Sequence, residues 1–230
     1  MPISLVAGTS KGQNFWPVTT EAIDTTGANL MTMVVSCYAS EPTISDSKGN
    51  TWSNVVANQY YGAVGMATKY CASPTVGTGH TVTSNFVNYV FIVVAAFSGA
   101  KGASPLDQTA AAGASSGATS QAAGSITPSE DNCLVVSYLG IDGGSSLPTI
   151  GSSYTRIASA YNTGPEGGGL GYIVQTTAGA TNPSWSWSGA CGATAVSASF
   201  KAAAATGRLF LASKLAGLGA GGPFHRHALG

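Results

Sequence analysis

The stretch Leu30-Met31-Thr32-Met33-Val34-Val35 has a counterpart in Cys133-Leu134-Val135-Val136, which begins 103 residues later. Four further pairs keep this spacing or miss it by one residue: Ile92–Phe97 with Ala195–Phe200, Tyr70 with Ile173, Val82 with Trp185, and Trp52 with Tyr154. A near-constant offset over separate segments predicts an internal duplication.

Each half contains about five short segments rich in Val, Ile, Tyr and Thr, bounded by Gly, Pro, Asn and Asp. Such segments are typical of strands, and a series of them without helical periodicity favours an antiparallel architecture. The sequence therefore predicts an all-β fold: an antiparallel, jelly-roll-like β-sandwich built from two sequence-related halves, with a C-terminal extension. One sandwich shared by both halves is favoured, and two tandem smaller sandwiches are the alternative.

The repeat also predicts the domain boundaries. The sandwich covers residues 1–201 and contains pseudo-repeats at about 28–100 and 131–203. The low-complexity segment 102–127 joins them, either as a surface excursion or as an irregular edge strand. Residues 202–230 form a separate basic, apolar arm.

The composition excludes several classes of protein. About half of the 230 residues are Ala, Gly, Ser and Thr, and only 8% are charged, with nine basic and nine acidic side chains. A balanced charge disfavours nucleic-acid binding, and the 44% hydrophobic content disfavours disorder. The longest apolar run, Tyr89–Phe97, is far shorter than the roughly 18 residues of a membrane helix. The first residues lack a secretory signal, which predicts synthesis in a cytoplasm without membrane insertion.

The C-terminal arm is the first candidate site. It carries three of the nine basic residues, follows directly on a fourth (Lys201), and contains no acid. Its docking residues are predicted to be Arg208, Leu209, Phe210, Leu211, Lys214, Leu215 and Phe224. The alternative is that the arm packs on its own domain or frays.

Two aromatic and two imidazole side chains are further candidates. Trp185 and Trp187 alternate with serines and so share one face of a strand, where they would stack on a sugar if exposed. Because Trp185 falls where the first half has Val82, core packing is the favoured alternative. His225 and His227 would supply six nitrogens around a threefold axis, but a lone histidine pair is more often structural, so no metal or other cofactor is predicted.

No catalytic constellation is predicted. Gly113–Gly117 matches the G-x-S-x-G pattern, but it lies in a Gly/Ala/Ser tract where composition alone produces it. Glu130 and Asp131 are adjacent and so point to opposite faces of a strand, unlike a glycosidase pair. Asp46–Asn50 has too few acids for a calcium loop and predicts a hairpin turn.

Three stretches resemble a known group of proteins: Asp46–Trp52, Val94–Gly99 and Ser104–Asp107. They are similar to the Gly/Ala/Ser/Thr-rich jelly-roll, lectin-like β-sandwich domains of tailed-bacteriophage virion proteins and of some bacterial surface proteins. The resemblance covers about Leu30–Phe200 and consists of turns and strand ends. It implies a role in assembly or surface recognition and supplies no catalytic residues.

The expected function is therefore that of a non-enzymatic virion structural protein, above all a capsid decoration protein that docks through its arm. The alternative is a tail or neck appendage that recognises host surface polysaccharide. Phage structural proteins and further copies of this chain are the expected partners, because particle proteins work in symmetric sets. The expected location is the virion.

Overall fold

A computed structural model describes residues 2–15, 17–38, 42–85, 89–143, 146–161 and 166–204. Within them the chain forms fifteen strands and no helix, so none of these residues belongs to a helix that could cross a membrane. The strands are β1 (Ser4–Gln13), β2 (Val18–Thr19), β3 (Leu30–Tyr38), β4 (Ile44–Asp46), β5 (Ser53–Asn54), β6 (Gln59–Tyr61), β7 (Val64–Ala72), β8 (Val82–Ser84), β9 (Val90–Ser98), β10 (Leu106–Ala122), β11 (Cys133–Ile141), β12 (Thr149–Ile150), β13 (Thr155–Tyr161), β14 (Gly167–Gln175) and β15 (Ser184–Phe200).

Each half contributes one large antiparallel sheet. Sheet 1 has the order β1-β9-β3-β7-β5, with β6 also paired to β7, and sheet 2 has the order β10-β15-β11-β14-β13, with β12 paired to β15. A small sheet, β2-β8-β4, lies on the outer side of sheet 1. The first half thus passes repeatedly between two sheets, which is jelly-roll connectivity. The predicted all-β antiparallel sandwich is confirmed.

The second half repeats this plan with fewer breaks. Strand β10 takes the place of β1 and β2, and β15 takes the place of β8 and β9. The end of β10 pairs with the start of β15, and β12 pairs there too, as β2 and β4 pair with β8. The counterpart of the small sheet is therefore continuous with sheet 2.

The two large sheets pack face to face across a pseudo-twofold axis. β3 faces β11, β1 faces β13, β9 faces β14, β7 faces β15 and β6 faces β10. We call this interface the seam. Two ring contacts show its symmetry: Tyr70 meets Phe200 with centroids 5.6 Å apart, and Tyr172 meets Phe97 at 5.1 Å. Each half thus inserts a tyrosine against the closing phenylalanine of the other.

The predicted spacing of 103 residues between equivalent positions of the two halves is off by one residue for two pairs of strands, β3/β11 and β7/β14. Leu30 pairs with Phe97, whereas the residue paired with Phe200 is Leu134, so β3 and β11 are related by 104 residues. Leu30 also pairs with Ala72 and Leu134 with Val174, so β7 and β14 are related by 102. A slip of one residue turns a side chain to the other face of a sheet. Tyr70 is therefore equivalent to Tyr172 rather than to Ile173.

The low-complexity segment is largely one strand. β10 covers Leu106–Ala122 and forms the edge of sheet 2. The equivalence of the halves therefore starts at β1 and β10, earlier than the predicted repeat starts near residues 28 and 131. The structure thus shows the edge-strand alternative, with register shifts along β10. The sequence left both alternatives open because Ala, Gly, Ser and Thr do not alternate between apolar and polar.

Candidate functional site

Both tryptophans that were considered for sugar stacking lie in the interior. Trp185 is 0% exposed and Trp187 is 7% exposed, in a cluster on the outer face of sheet 2. The Trp185 indole nitrogen donates to Ser137 Oγ at 2.8 Å. The core packing favoured for Trp185 and Trp187 is what the structure shows, so neither offers an open stacking face. Both lie at the start of β15, in the second-half counterpart of the small sheet, and pack inward against Leu139 and Ala195.

The docking residues of the arm, Arg208 to Phe224, and the pair His225 and His227 lie outside the described residues. Residues 202–204, predicted to start the arm, are fixed to the sandwich. Ala203 N donates to Gly99 O, and Lys101 N donates to Lys201 O, both at 2.8 Å. Residues 202–204 thus lie beside the end of β9.

We call the end of the molecule that contains residues 99–101 and 201–204 the tail end. A cleft of about 540 Å³ lies there, lined by Pro2, Glu130, Asp131, Asn132 and Ala202–Ala204. Asp131 Oδ1 accepts a hydrogen bond from Ala178 N at 2.7 Å, so this carboxylate closes a turn. The cleft lies next to the start of the basic arm.

Exposed aromatic side chains gather at the opposite end of sheet 1. They are Phe15, Tyr38, Tyr60 and Tyr89, with exposed fractions from 37% (Tyr89) to 75% (Phe15). Phe15 follows β1, Tyr89 precedes β9, Tyr38 ends β3, and Tyr60 lies in β6 next to the start of β7. We call this set the aromatic end. Neighbouring strands lie about 4.8 Å apart, so the row spans roughly 20 Å.

One member of the aromatic end has a strained backbone. Tyr89 has φ of +44°, a region that a bulky side chain avoids and that costs about 1–3 kcal/mol. Such strain collects at functional sites more often than elsewhere. Sequence reasoning missed this set, because no strand was predicted near Phe15 and the three tyrosines belong to strands that are distant in the sequence.

A buried chain of side chains resembles a catalytic triad. Thr25 Oγ1 lies 3.0 Å from His80 Nδ1, and His80 Nε2 lies 3.4 Å from Asp46 Oδ1. Thr25 and His80 are at most 1% exposed, and the Asp46 carboxylate is 0% exposed. Burial lowers the pKa of His80, and its effect outweighs the opposing effect of Asp46. A nucleophile sealed from substrate cannot react, so this chain stabilises the small sheet.

A buried carboxyl lies in the seam. Glu166 is 1% exposed, and its Oε2 accepts a hydrogen bond from Ser36 of the other half at 3.5 Å. Its Oε1 has no hydrogen-bond partner within the described ranges. Burial, together with the nearby Asp142 carboxylate, raises the pKa of Glu166 to about 8. Glu166 is therefore mostly protonated at neutral pH.

The Asp46–Asn50 turn holds an aromatic ring at the surface. Asp46 Oδ1 accepts from Lys48 N at 2.8 Å and from Asn50 N at 3.3 Å, as the predicted hairpin turn requires. Asp46 Oδ2 accepts from Trp52 Nε1 at 2.7 Å. The half-buried Trp52 then lines a groove of about 470 Å³ together with Thr43, Thr51 and Lys69. We call this groove 1.

The second half has an equivalent groove. Groove 2, of about 270 Å³, is lined by Thr149, Ile150, Tyr154 and Arg156. Tyr154 corresponds to Trp52, and its hydroxyl is hydrogen-bonded to Thr181 Oγ1 at 2.7 Å. Arg156 Nη1 donates to Pro148 O at 2.7 Å. Each half thus places one aromatic ring and one cation in the same kind of groove.

The G-x-S-x-G match, the cysteines and the possible metal ligands of the described residues form no catalytic or metal site. Gly113–Gly117 lies inside β10 rather than at a strand-to-helix elbow, and a Cβ at Gly113 would come within 2.4 Å of the Tyr61 ring. All four cysteines are buried. In the described part of the chain, no three His, Cys, Asp or Glu side chains come together as metal ligands.

Comparisons with protein families, curated proteins and solved structures give no match for this chain.

Proposed function

We propose that this chain is a non-enzymatic structural protein of a tailed-bacteriophage virion, above all a capsid decoration protein. One observation carries the proposal: the aromatic end and the tail end lie at opposite ends of the same strands. A nine-residue strand such as β3 separates them by roughly 30 Å. The chain can therefore be anchored at one end and make contacts at the other.

The aromatic end supplies the contact surface. Tyrosine and phenylalanine are enriched at protein interfaces because a large apolar ring is buried at low entropic cost. Single exposed apolar residues are normal on a protein surface. Four exposed aromatic rings at neighbouring strand ends are more than such scattered exposure. The basic, apolar arm supplies the anchor in this proposal.

Incorporation into particles tests the role. The copy number of the chain is measured by quantitative mass spectrometry of purified particles from its source, against the major shell protein. Abundance close to that of the shell protein supports decoration, and complete absence from particles contradicts the virion role. A chain lacking residues 207–230 should stay folded and be lost from particles.

The aromatic end is tested separately. The double variant Tyr38→Ser, Tyr60→Ser should still fold, since both rings are about half exposed, and should be incorporated at least tenfold less. Tyr38→Phe, Tyr60→Phe is the matched control, because it keeps both rings at the aromatic end. Equal incorporation of both variants contradicts a contact at the aromatic end.

A second candidate function is recognition of host surface polysaccharide by a tail or neck appendage. The occurrence of similar grooves in both halves favours it, since an aromatic ring beside hydroxyl groups suits a sugar face. A few copies per particle, instead of abundance near that of the shell protein, would support this candidate.

A further inference from the structure

We propose that grooves 1 and 2 are two equivalent binding sites for an acidic polysaccharide, so that one chain binds two sugar segments. This inference rests on the second candidate function. It adds where the polysaccharide binds, that the polysaccharide is acidic, and that each chain has two sites. It depends on the contacts around Trp52 and Tyr154 rather than on any resemblance.

The two grooves occupy equivalent places in the two halves. Trp52 and Tyr154 are 102 residues apart, which is the spacing that relates β7 to β14. β4 and β12 form the facing walls, since Ile44 lines groove 1 and Ile150 lines groove 2. The shared fold of the two halves accounts for a depression at both places. The pseudo-twofold axis places the grooves on opposite outer faces of the molecule.

The cations come from different positions of the repeat, since Lys69 corresponds to Gly171 and Arg156 to Asn54. Each half therefore places a cation beside its ring from a different strand.

Each ring is held by a hydrogen bond at its polar atom. Trp52 Nε1 donates to the buried Asp46 carboxylate at 2.7 Å, and the Tyr154 hydroxyl is tied to Thr181 Oγ1 at the same distance. The partners differ in chemistry, yet both fix a ring that stays partly exposed in its groove. A pre-oriented ring loses little entropy when a sugar ring stacks on it.

Charge determines the ligand class. The charged residue lining groove 1 is Lys69, and the charged residue lining groove 2 is Arg156. Lys69 Nζ donates to Asn54 Oδ1 at 2.7 Å and Arg156 Nη1 to Pro148 O, which leaves further N–H donors on both cations. A carboxylate on a sugar ring pairs with such a cation, whereas a neutral sugar leaves it without a charged partner.

The test is calorimetric titration of the full chain with oligogalacturonate, a uronic-acid oligosaccharide. Maltooligosaccharide of equal length is the neutral control, and polyglutamate is the control for a polyanion without sugar rings. Two oligogalacturonate molecules should bind per chain, and each control should bind at least tenfold more weakly. Absence of oligogalacturonate binding, or equal affinity for either control, overturns the proposal.

Variants assign the binding to the grooves. Lys69→Gln and Arg156→Gln should each reduce the stoichiometry from two to one, and the double variant should lose binding at least tenfold. Lys101→Gln is the matched control, because Lys101 is exposed at the tail end. Thermal unfolding checks that all variants fold. Unchanged stoichiometry in both single variants overturns the assignment.

The role of the ring is tested in groove 2. Tyr154→Phe keeps the ring and should still bind two oligogalacturonate molecules, but more weakly in groove 2 because the hydrogen bond to Thr181 is lost. Tyr154→Leu should bind one. Equal binding by the two variants contradicts stacking. Incorporation into particles plays no part in these titrations, so a failed virion assignment and a failed binding proposal give different results.

Discussion

The two halves of this molecule agree closely in the seam and differ in their outer layers. In the seam, Tyr70 meets Phe200 as Tyr172 meets Phe97. Outside it, the first half has a separate small sheet, whereas the second half has two unbroken 17-residue strands, β10 and β15. In the seam, each half packs against the equivalent surface of the other half, so a substitution in one half must be tolerated by the other. A residue in an outer layer contacts only its own half, so the sequences of the two outer layers can diverge from each other.

The largest expected effect breaks the symmetric contacts. Phe97→Ala and Phe200→Ala should each lower the free energy of unfolding by about 3–5 kcal/mol, because each removes a fully buried ring from the seam. The two losses should be similar, since the contacts are reciprocal. Urea unfolding measures both, and a cost below about 1 kcal/mol for one variant only would refute the equivalence.

Glu166 breaks the symmetry of the seam, because the 102-residue spacing makes it equivalent to Val64. Its pKa rises from 4.5 to about 8 on folding, so the folded chain binds a proton that the unfolded chain has released. The free energy of unfolding should therefore fall by about 1.4 kcal/mol per pH unit between these values as pH rises.

Glu166→Val should remove the decrease in the free energy of unfolding between pH 4.5 and 8. It places in the second half the residue that the first half has at Val64. Denaturant unfolding at pH 5, 7 and 9 measures the decrease. Glu130→Gln, an exposed change at the tail end, should keep the decrease. Persistence of the decrease in Glu166→Val would assign it to another group.

A third prediction concerns a compensating pair in the outer layers. The first half has Ala67 and Val82 where the second has Gly169 and Trp185. A Cβ on Gly169 would lie 2.8 Å from the Trp185 ring, so Gly169→Ala should cost about 1–3 kcal/mol. In a Trp185→Val background that cost should disappear. A double-mutant cycle measures the coupling, and strict additivity would deny the compensation.

The smallest expected effect comes from His80, for which the second half has Pro183. Burial lowers the pKa of His80 from 6.5, so the unfolded chain takes up a proton first as pH falls. Stability should therefore decrease as pH drops below 6.5. His80→Gln should weaken this decrease, as measured by thermal unfolding between pH 5 and 7. An identical decrease in the variant would exclude His80 as its source.

The sequence allowed the sandwich and the duplication to be predicted because β-branched runs such as Ile92–Phe97 recur. It did not show the one-residue slips, because insertions and deletions in turns shift whole strands without changing their composition. The equivalence of Trp185 to Val82 correctly favoured its burial. The aromatic end was not predicted, since the exposure of Tyr38 or Tyr60 depends on which strand ends are neighbours in the sheet.

Residue 2 and residue 204 lie close together at the tail end. Pro2 and Ala202–Ala204 line the same cleft, and Ala203 is hydrogen-bonded to Gly99, the residue that follows β9. A short linker from residue 204 to residue 2, with new termini opened between Lys101 and Ser104, would make a circular permutant in which the second half precedes the first. Because the seam is pseudo-symmetric, the permutant would form the same pairs of rings, and the order in which the halves are synthesised would not matter to the final fold.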